Sequence, residues 1–124
     1  MISIGIIDDH WVLVDSLTLM LGQEPDLEFL GSADTLAKGR ELLRRVSPDV
    51  LLLDVEMPIM NGLQVASKLH QMQIPVRILA LSAYNDQQYI LGMLANGARG
   101  YLTKDEVPNK LLMAIRSVAA GESD

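Results

Sequence analysis

The sequence predicts an α/β protein in which a doubly wound, five-stranded parallel sheet carries helices on both faces. Three observations lead to this fold class: short apolar runs alternate with longer segments of helical spacing, each gap between runs has room for a helix, and aromatic residues are few. Parallel neighbours need a crossover connection, and crossovers are right-handed. Five strand-then-helix units therefore favour this architecture.

The predicted strands are the five short apolar runs. They cover residues 2–7, 27–32, 49–53, 77–81 and 99–103. The first, third and fourth runs are the most uniformly apolar, so they are predicted at the centre of the sheet, and the more polar second and fifth runs at its edges. The order 2-1-3-4-5 satisfies this pattern. It places a topological switch point between strands one and three, where open α/β sheets bind ligands at the carboxyl ends of their strands.

The segments between these runs are predicted to be helical. They cover residues 11–22, 34–46, 61–72, 86–96 and 107–120. Asp34 and Asp86 are predicted to cap the second and fourth helices, Gly97 to supply the left-handed turn after the fourth, and Pro108 to lie in the first turn of the fifth. Trp11, the only tryptophan, is expected to pack in the core.

Length and composition limit the possible functions. The 124 residues suffice for about one domain, predicted over 1–120, with 121–124 as the start of a linker or tail. Ten basic residues are scattered among sixteen acidic ones, for a net charge of −6, which argues against direct nucleic-acid binding. Cysteine is absent, and neither a signal peptide nor a membrane span is recognisable, so a cytoplasmic protein without membrane contact is expected.

Three carboxylates follow two neighbouring strands of the predicted sheet. Asp8 and Asp9 come directly after the first strand, and Asp54 ends the third. Taken singly, each could cap a helix or begin a polar loop, but core packing gives no reason for all three to meet at the switch point. Close carboxylates raise one another's pKa unless a cation joins them. Hard oxygen ligands suit Mg²⁺, with Mn²⁺ as the alternative.

Two other strand ends add complementary chemistry at the same edge of the sheet. Strand four runs into Ser82, which carries a hydroxyl, and strand five into Thr103 and Lys104, which adds an ammonium group. A metal ion, a hydroxyl and a lysine around one carboxylate are what a phosphoryl group on that carboxylate needs.

The order and spacing of these motifs resemble the receiver domain of bacterial response regulators over nearly the whole chain. The matching stretches are IIDDH (6–10), LLLDVEMPIMNG (51–62), ALSAY (80–84) and ANGARGYLTK (95–104). The DDH opening, the GARGYLTK run and the ending AIRSVAAGE (114–122) are most similar to receivers of the NarL/FixJ subclass, which precede a LuxR-type helix-turn-helix domain. The resemblance implies the flavodoxin-like (βα)5 receiver fold.

The resemblance also implies roles for the clustered residues. Asp54 would be the phosphoacceptor, receiving a phosphoryl group from the phosphohistidine of a sensor kinase. Asp8, Asp9 and Asp54 would ligate Mg²⁺ together with the backbone carbonyl of Glu56. Positioning and charge neutralisation account for most of phosphoryl-transfer catalysis, which agrees with this assignment.

The remaining implied roles concern binding of the phosphoryl group and switching. Ser82 would hydrogen-bond one phosphoryl oxygen and Lys104 would pair with another. Recruitment of Ser82 would move the loop after strand four, and Tyr101 would turn inward as the switch residue. Glu56 and Tyr84 would tune the rate at which water removes the phosphoryl group.

For partners, the resemblance implies a sensor histidine kinase or a phosphotransfer protein. It implies a signalling phosphoacceptor rather than a conventional enzyme, with self-phosphorylation and autodephosphorylation as its own activities. Phosphorylation would promote a homodimer, through either the first and fifth helices or the face formed by helix four, strand five and helix five. DNA would be bound by a C-terminal helix-turn-helix domain that is absent from this chain.

Three other classes of protein compete with this interpretation. A haloacid-dehalogenase-type phosphatase places its acid pair after strand one, whereas Asp54 and Glu56 follow strand three. A flavodoxin-like cofactor carrier needs a phosphate loop after strand one, where this chain has the acidic stretch DDHW. The stronger rival is a receiver-like interaction module that works without phosphorylation.

Overall fold

The computed structural model describes residues 1–56, 64, 67, 71, 75–83 and 87–121. Five strands form one parallel sheet in the order β2-β1-β3-β4-β5. The strands are β1 (Ile2–Ile7), β2 (Leu27–Ala33), β3 (Val50–Asp54), β4 (Arg77–Ser82) and β5 (Ala98–Thr103). The predicted fold class, the strand order and the edge positions of β2 and β5 are confirmed.

Four helices are described between and after these strands. They are α1 (Trp11–Gly22), α2 (Leu36–Arg45), α3 (Gln87–Ala95) and α4 (Val107–Ala119). Of the helix predicted over 61–72, only residues 64, 67 and 71 are described, and each is helical. No helix in the described ranges is long and apolar enough to cross a membrane.

The helix ends confirm two of the four predicted signals, and Asp86 lies outside the described residues. Gly97 has a φ of 93°, in the left-handed region, directly after the turn that ends α3, and Pro108 lies in the first turn of α4. The capping prediction for Asp34 is wrong. Thr35 is the cap of α2, and its hydroxyl accepts a hydrogen bond from the Lys38 amide at 3.1 Å. Asp34 instead forms an exposed ion pair with the Lys38 side chain at 3.2 Å.

Two apolar layers cover the two faces of the sheet. On one face α1 and α4 pack on alternate residues of β1, β3 and β4, and on the other face α2 and α3 do so. The apolar stripe of α4 is buried in the layer that α1 and α4 form; it consists of Val107, Leu111, Ile115 and Val118. Trp11 does not pack there: its side chain is 72% exposed at the start of α1, so the prediction of a core tryptophan is wrong.

Gly39 allows α2 to approach β1 closely. A Cβ atom at this position would lie 2.6 Å from Cδ1 and 3.1 Å from Cγ1 of Ile7, which is itself buried. We expect Gly39→Ala to lower the free energy of unfolding by about 1–2 kcal/mol, because overpacking outweighs the gain in helix propensity. Urea unfolding followed by circular dichroism measures this. Gly22→Ala, at a helical position with no atom within 4 Å of the new Cβ, is the control, and equal stability of the two variants would contradict the prediction.

Candidate functional site

Four strands bring polar side chains together at their carboxyl-terminal ends. β1 continues into Asp8, β3 ends at Asp54, β4 ends at Ser82, and β5 continues into Lys104. The parallel register places these ends side by side, since Ile7 pairs with Leu53, Asp54 with Leu81, and Ser82 with Thr103. The polar ends therefore meet at the predicted switch point between β1 and β3.

Asp8, Asp9 and Asp54 form a carboxylate cluster. One carboxylate oxygen from each lies within 4.8 Å of those of the other two. Asp8 and Asp54 are buried, at 2% and 1% exposure, whereas Asp9 is exposed. The structure thus brings together the three residues whose convergence the strand ends predicted.

Backbone amides orient the two buried carboxylates. The His10 amide donates to Asp8 Oδ1 at 2.8 Å, and the Glu56 amide donates to Asp54 Oδ1 at 3.0 Å. The second oxygen of Asp8 is buried and accepts no hydrogen bond from any described group. Burial raises the pKa of Asp8 to about 7, with the nearby Asp54 carboxylate acting in the same direction and the His10 amide and Lys104 opposing it.

Lys104 supplies positive charge to this cluster. Its Nζ lies 3.3 Å from Asp54 Oδ1 and 3.8 Å from Asp8 Oδ2, and its side chain is only 18% exposed. Its backbone amide donates to the carbonyl of Ser82 at 2.7 Å, which ties the start of the loop after β5 to the end of β4. The ammonium group is thus held over the two carboxylates by neighbouring strands.

The residues present fit a hard divalent cation. Three carboxylates offer oxygen ligands, and the buried Asp8 oxygen without a hydrogen-bond donor is an acceptor that a cation would satisfy. One ammonium does not neutralise three carboxylates, so the cluster has residual negative charge. Asp8, Asp9 and Asp54 would hold Mg²⁺ or Mn²⁺, and a contribution from the Glu56 carbonyl stays a prediction.

The side chain of Glu56 makes contacts that the sequence did not predict. Its Oε2 accepts a hydrogen bond from the Ser82 hydroxyl, and its Oε1 accepts one from the Ala83 amide at 2.7 Å. An acid two residues after Asp54 was recognisable in the sequence. Its partners were not, because they lie 26 and 27 residues away on another strand end.

The other two predicted positions have different outcomes. Tyr101 lies on β5 opposite Ala80 of β4 and is partly buried against the layer that α2 and α3 cover. Its switching role stays a prediction. Tyr84 lies outside the described residues.

A buried aspartate, two further carboxylates and a lysine at the switch point of a 2-1-3-4-5 sheet define an α/β protein with an acidic site that could hold a metal ion. Residues 4–116 match the response regulator receiver domain family. The chain therefore belongs to the response regulator receiver domain family, and the resemblance found in its sequence motifs is confirmed.

Individual relatives agree with this assignment. The chain is 38% identical over 120 residues to the nitrate/nitrite response regulator protein NarL of Escherichia coli strain K12, covering 97% of this chain and 56% of NarL. It is 35% identical over 120 residues to the transcriptional regulatory protein DegU of Brevibacillus brevis, covering 97% of this chain and 51% of DegU. The chain thus spans about half the length of these relatives.

A solved structure supports the same conclusion for the fold. The signal receiver domain of a response regulator named NarL from Mycobacterium tuberculosis is similar, with a TM-score of 0.90 at 31% sequence identity and 98% of each chain covered. The agreement extends over the whole sheet and not merely over the site motifs.

Proposed function

We propose that this receiver domain accepts a phosphoryl group on Asp54 and uses it to control an output domain. The observation that carries the proposal is the surroundings of the buried Asp54 carboxylate, whose Oδ1 is 3.3 Å from Lys104 Nζ and which shares a cluster with Asp8 and Asp9. Burial and core packing do not require these groups together, whereas phosphoryl transfer to a carboxylate does.

The transfer begins with the attack of an Asp54 carboxylate oxygen on the phosphorus of a phosphohistidine. The new P–O bond gives an acyl phosphate, the P–N bond breaks, and its electron pair stays on the imidazole of the donor, which takes up a proton. Mg²⁺ held by Asp8, Asp9 and Asp54 would supply charge neutralisation for the phosphoryl oxygens. Lys104 holds positive charge at the same point, and Ser82 offers a hydroxyl to one phosphoryl oxygen.

The same site explains why transfer needs little further chemistry from the protein. The Glu56 amide holds Asp54 Oδ1 at 3.0 Å and fixes the orientation of the carboxylate before the donor arrives. Small acyl phosphates can then serve as donors, which gives self-phosphorylation. Attack of water on the acyl phosphate gives autodephosphorylation, whose rate Glu56 and Tyr84 would tune.

The partners follow from the family. The phosphodonor is a sensor histidine kinase or a phosphotransfer protein in the cytoplasm, and residues 1–120 form the domain that it recognises. The output is a LuxR-type DNA-binding domain outside this chain, in a regulator of transcription that forms a homodimer on phosphorylation. The excess of acidic residues, with a net charge of −6, supports the absence of direct DNA contact by this domain.

Switching would pass through β4 and β5. When a phosphoryl oxygen engages Ser82, the loop after β4 moves, and Tyr101 turns inward on β5. This changes the face made by α3, β5 and α4, so that a charge event at Asp54 biases a distant surface.

The test is the intact mass of the protein after incubation with acetyl phosphate and Mg²⁺. We expect one added phosphoryl group on the wild type, none on Asp54→Asn and none without metal. Asp49→Asn is the matched control and should be phosphorylated like the wild type. Asp49 lies one residue before the start of β3, at the end of the strand away from Asp54. If neither acetyl phosphate nor a panel of histidine kinases phosphorylates the wild type, the domain is an interaction module that works without phosphorylation.

A further inference from the structure

The carboxylate of Glu56 occupies the hydrogen-bond donors at the end of β4. Its two oxygens divide between two donors, the Ser82 hydroxyl and the Ala83 amide, the latter at 2.7 Å. Ser82 is fully buried, so its hydroxyl cannot exchange a protein partner for bulk water without movement of the loop. Hydrogen bonds to a carboxylate acceptor are shorter and stronger than those between neutral groups.

A phosphoryl group on Asp54 needs the same donors. Its oxygens, like those of a carboxylate, accept hydrogen bonds from hydroxyl and amide groups. Glu56, Ala83, Asp54 and Lys104 line one cleft. The Glu56 carboxylate therefore already holds donors at this cleft that an incoming phosphoryl group would use.

We propose that the side chain of Glu56 is an internal competitor of the phosphoryl group, which must leave Ser82 and Ala83 before Asp54 can be stably phosphorylated. This inference rests on the proposed phosphoacceptor function and adds a device that restrains it. The Glu56 carboxylate and a phosphoryl group are both anions and repel each other, so they do not share the same donors. Departure of Glu56 and engagement of the phosphoryl group are thus a single exchange.

The backbone couples this exchange to the acceptor. The Glu56 amide donates to Asp54 Oδ1 while its carboxylate holds the end of β4, so one residue bridges the phosphoacceptor and the loop after Ser82. The Ser82 carbonyl in turn accepts from the Lys104 amide at 2.7 Å. Release of the Glu56 carboxylate thus frees Ser82 and Ala83, next to the lysine that would neutralise the phosphoryl group.

The experiment compares the initial rate of phosphorylation by acetyl phosphate at saturating Mg²⁺ in four proteins: wild type, Glu56→Ala, Glu56→Gln and Asp49→Ala. Glu56→Ala keeps the backbone amide and carbonyl and removes only the competing carboxylate. We expect it to be phosphorylated roughly five- to tenfold faster, the factor that about 1 kcal/mol or slightly more of lost hydrogen bonding gives. Glu56→Gln keeps the size of the side chain without its charge, so its rate should lie between those of the wild type and Glu56→Ala.

Asp49 provides the matched control. Its carboxylate also accepts hydrogen bonds from a serine hydroxyl and a backbone amide, both of Ser3, at 3.1 and 2.9 Å. This contact lies at the amino-terminal ends of the strands, away from Asp54. Asp49→Ala should therefore be phosphorylated at the wild-type rate. Measurement of the decay of the phosphorylated forms after removal of the donor separates faster uptake from slower loss.

A second probe is beryllofluoride, a phosphoryl analogue that binds without covalent chemistry at a phosphorus atom. Its affinity in the presence of Mg²⁺, followed through the amide resonance of Ala83, should rise by the same factor in Glu56→Ala. If the rates and affinities of this variant are unchanged or lower while the wild type is phosphorylated normally, the competitor role of Glu56 is refuted and the phosphoacceptor function of Asp54 stands. If the wild type and every variant fail to accept a phosphoryl group, the proposed function fails and the competitor fails with it.

Discussion

Lys104→Met is expected to lower the free energy of unfolding of the metal-free protein by about 2–3 kcal/mol at pH 8. The substitution removes the ammonium group 3.3 Å from Asp54 Oδ1 and 3.8 Å from Asp8 Oδ2 but keeps an apolar side chain of similar length. Two buried carboxylates then face each other without a cation. Removal of one partner of a buried pair costs more than an exposed pair contributes, since the remaining charge is desolvated and unpaired.

The expected value lies below the usual range for fully buried pairs because the lysine is 18% exposed and Asp8 can take up a proton. Urea unfolding in EDTA, followed by circular dichroism, measures the loss. Lys38→Met is the control: it removes a comparable lysine–aspartate pair, at 3.2 Å, in which both side chains are more than half exposed. Its effect should stay within about 0.5 kcal/mol.

Addition of Mg²⁺ extends this test. If the cluster binds the ion, Mg²⁺ should stabilise both proteins, and at ten times its dissociation constant by about 1.4 kcal/mol. The ion should recover much of what Lys104→Met loses, because it neutralises the same carboxylates. Equal stability of wild type and Lys104→Met in EDTA would show that the lysine does not compensate this cluster.

The second large effect expected is a fall in stability of the metal-free protein with rising pH. The pKa of Asp8 is about 7 in the folded protein, against 3.8 for an ordinary aspartate. Between these two values the folded state binds a proton that the unfolded state has lost, so stability decreases as pH rises toward the folded pKa. From pH 5 to pH 8 this amounts to about 3 kcal/mol.

Among the described residues, the other carboxyl groups with a shifted pKa, those of Asp26 and Glu106, have it lowered and stay ionised from pH 5 to pH 8. Glu106 has a pKa of about 2, lowered first by the Thr103 amide and then by the Lys110 side chain, so it is ionised throughout this range. The difference between the wild-type and Asp8→Asn profiles isolates Asp8, and the variant should lack the decline. Parallel profiles for the two proteins in EDTA would refute the assignment of the decline to Asp8.

Saturating Mg²⁺ should remove this dependence. The ion binds the ionised carboxylates, so its contribution to stability grows as Asp8 loses its proton. The gain from Mg²⁺ should therefore be larger at pH 8 than at pH 5. This prediction separates a true metal site from an acidic patch, which would be stabilised weakly and similarly by any salt.

Much of the fold and the site could be predicted because both depend on local sequence patterns. The uniformly apolar run from Val50 to Leu53 indicates a buried central strand, and the polar residues that follow each strand meet wherever parallel strands end together. Asp8, Asp9 and Asp54 could thus be brought together without coordinates.

The errors concern choices between near-equal local alternatives. Asp34 and Thr35 are both good capping residues, and the backbone at the end of β2 decides which one faces the free amides of α2. Trp11 is apolar, but the first residue of α1 points away from both apolar layers, so its side chain is 72% exposed. Residue type alone does not determine either outcome.

The sequence by itself determined the order of apolar runs, the strand ends that carry acidic residues, and membership of the receiver family. These properties depend on composition and spacing along the chain. Only the tertiary structure decided that the second oxygen of Asp8 is buried without a hydrogen bond, and that Glu56 holds Ser82 and Ala83. Such contacts join residues distant in sequence, and the packing of neighbouring strands and loops sets their distances.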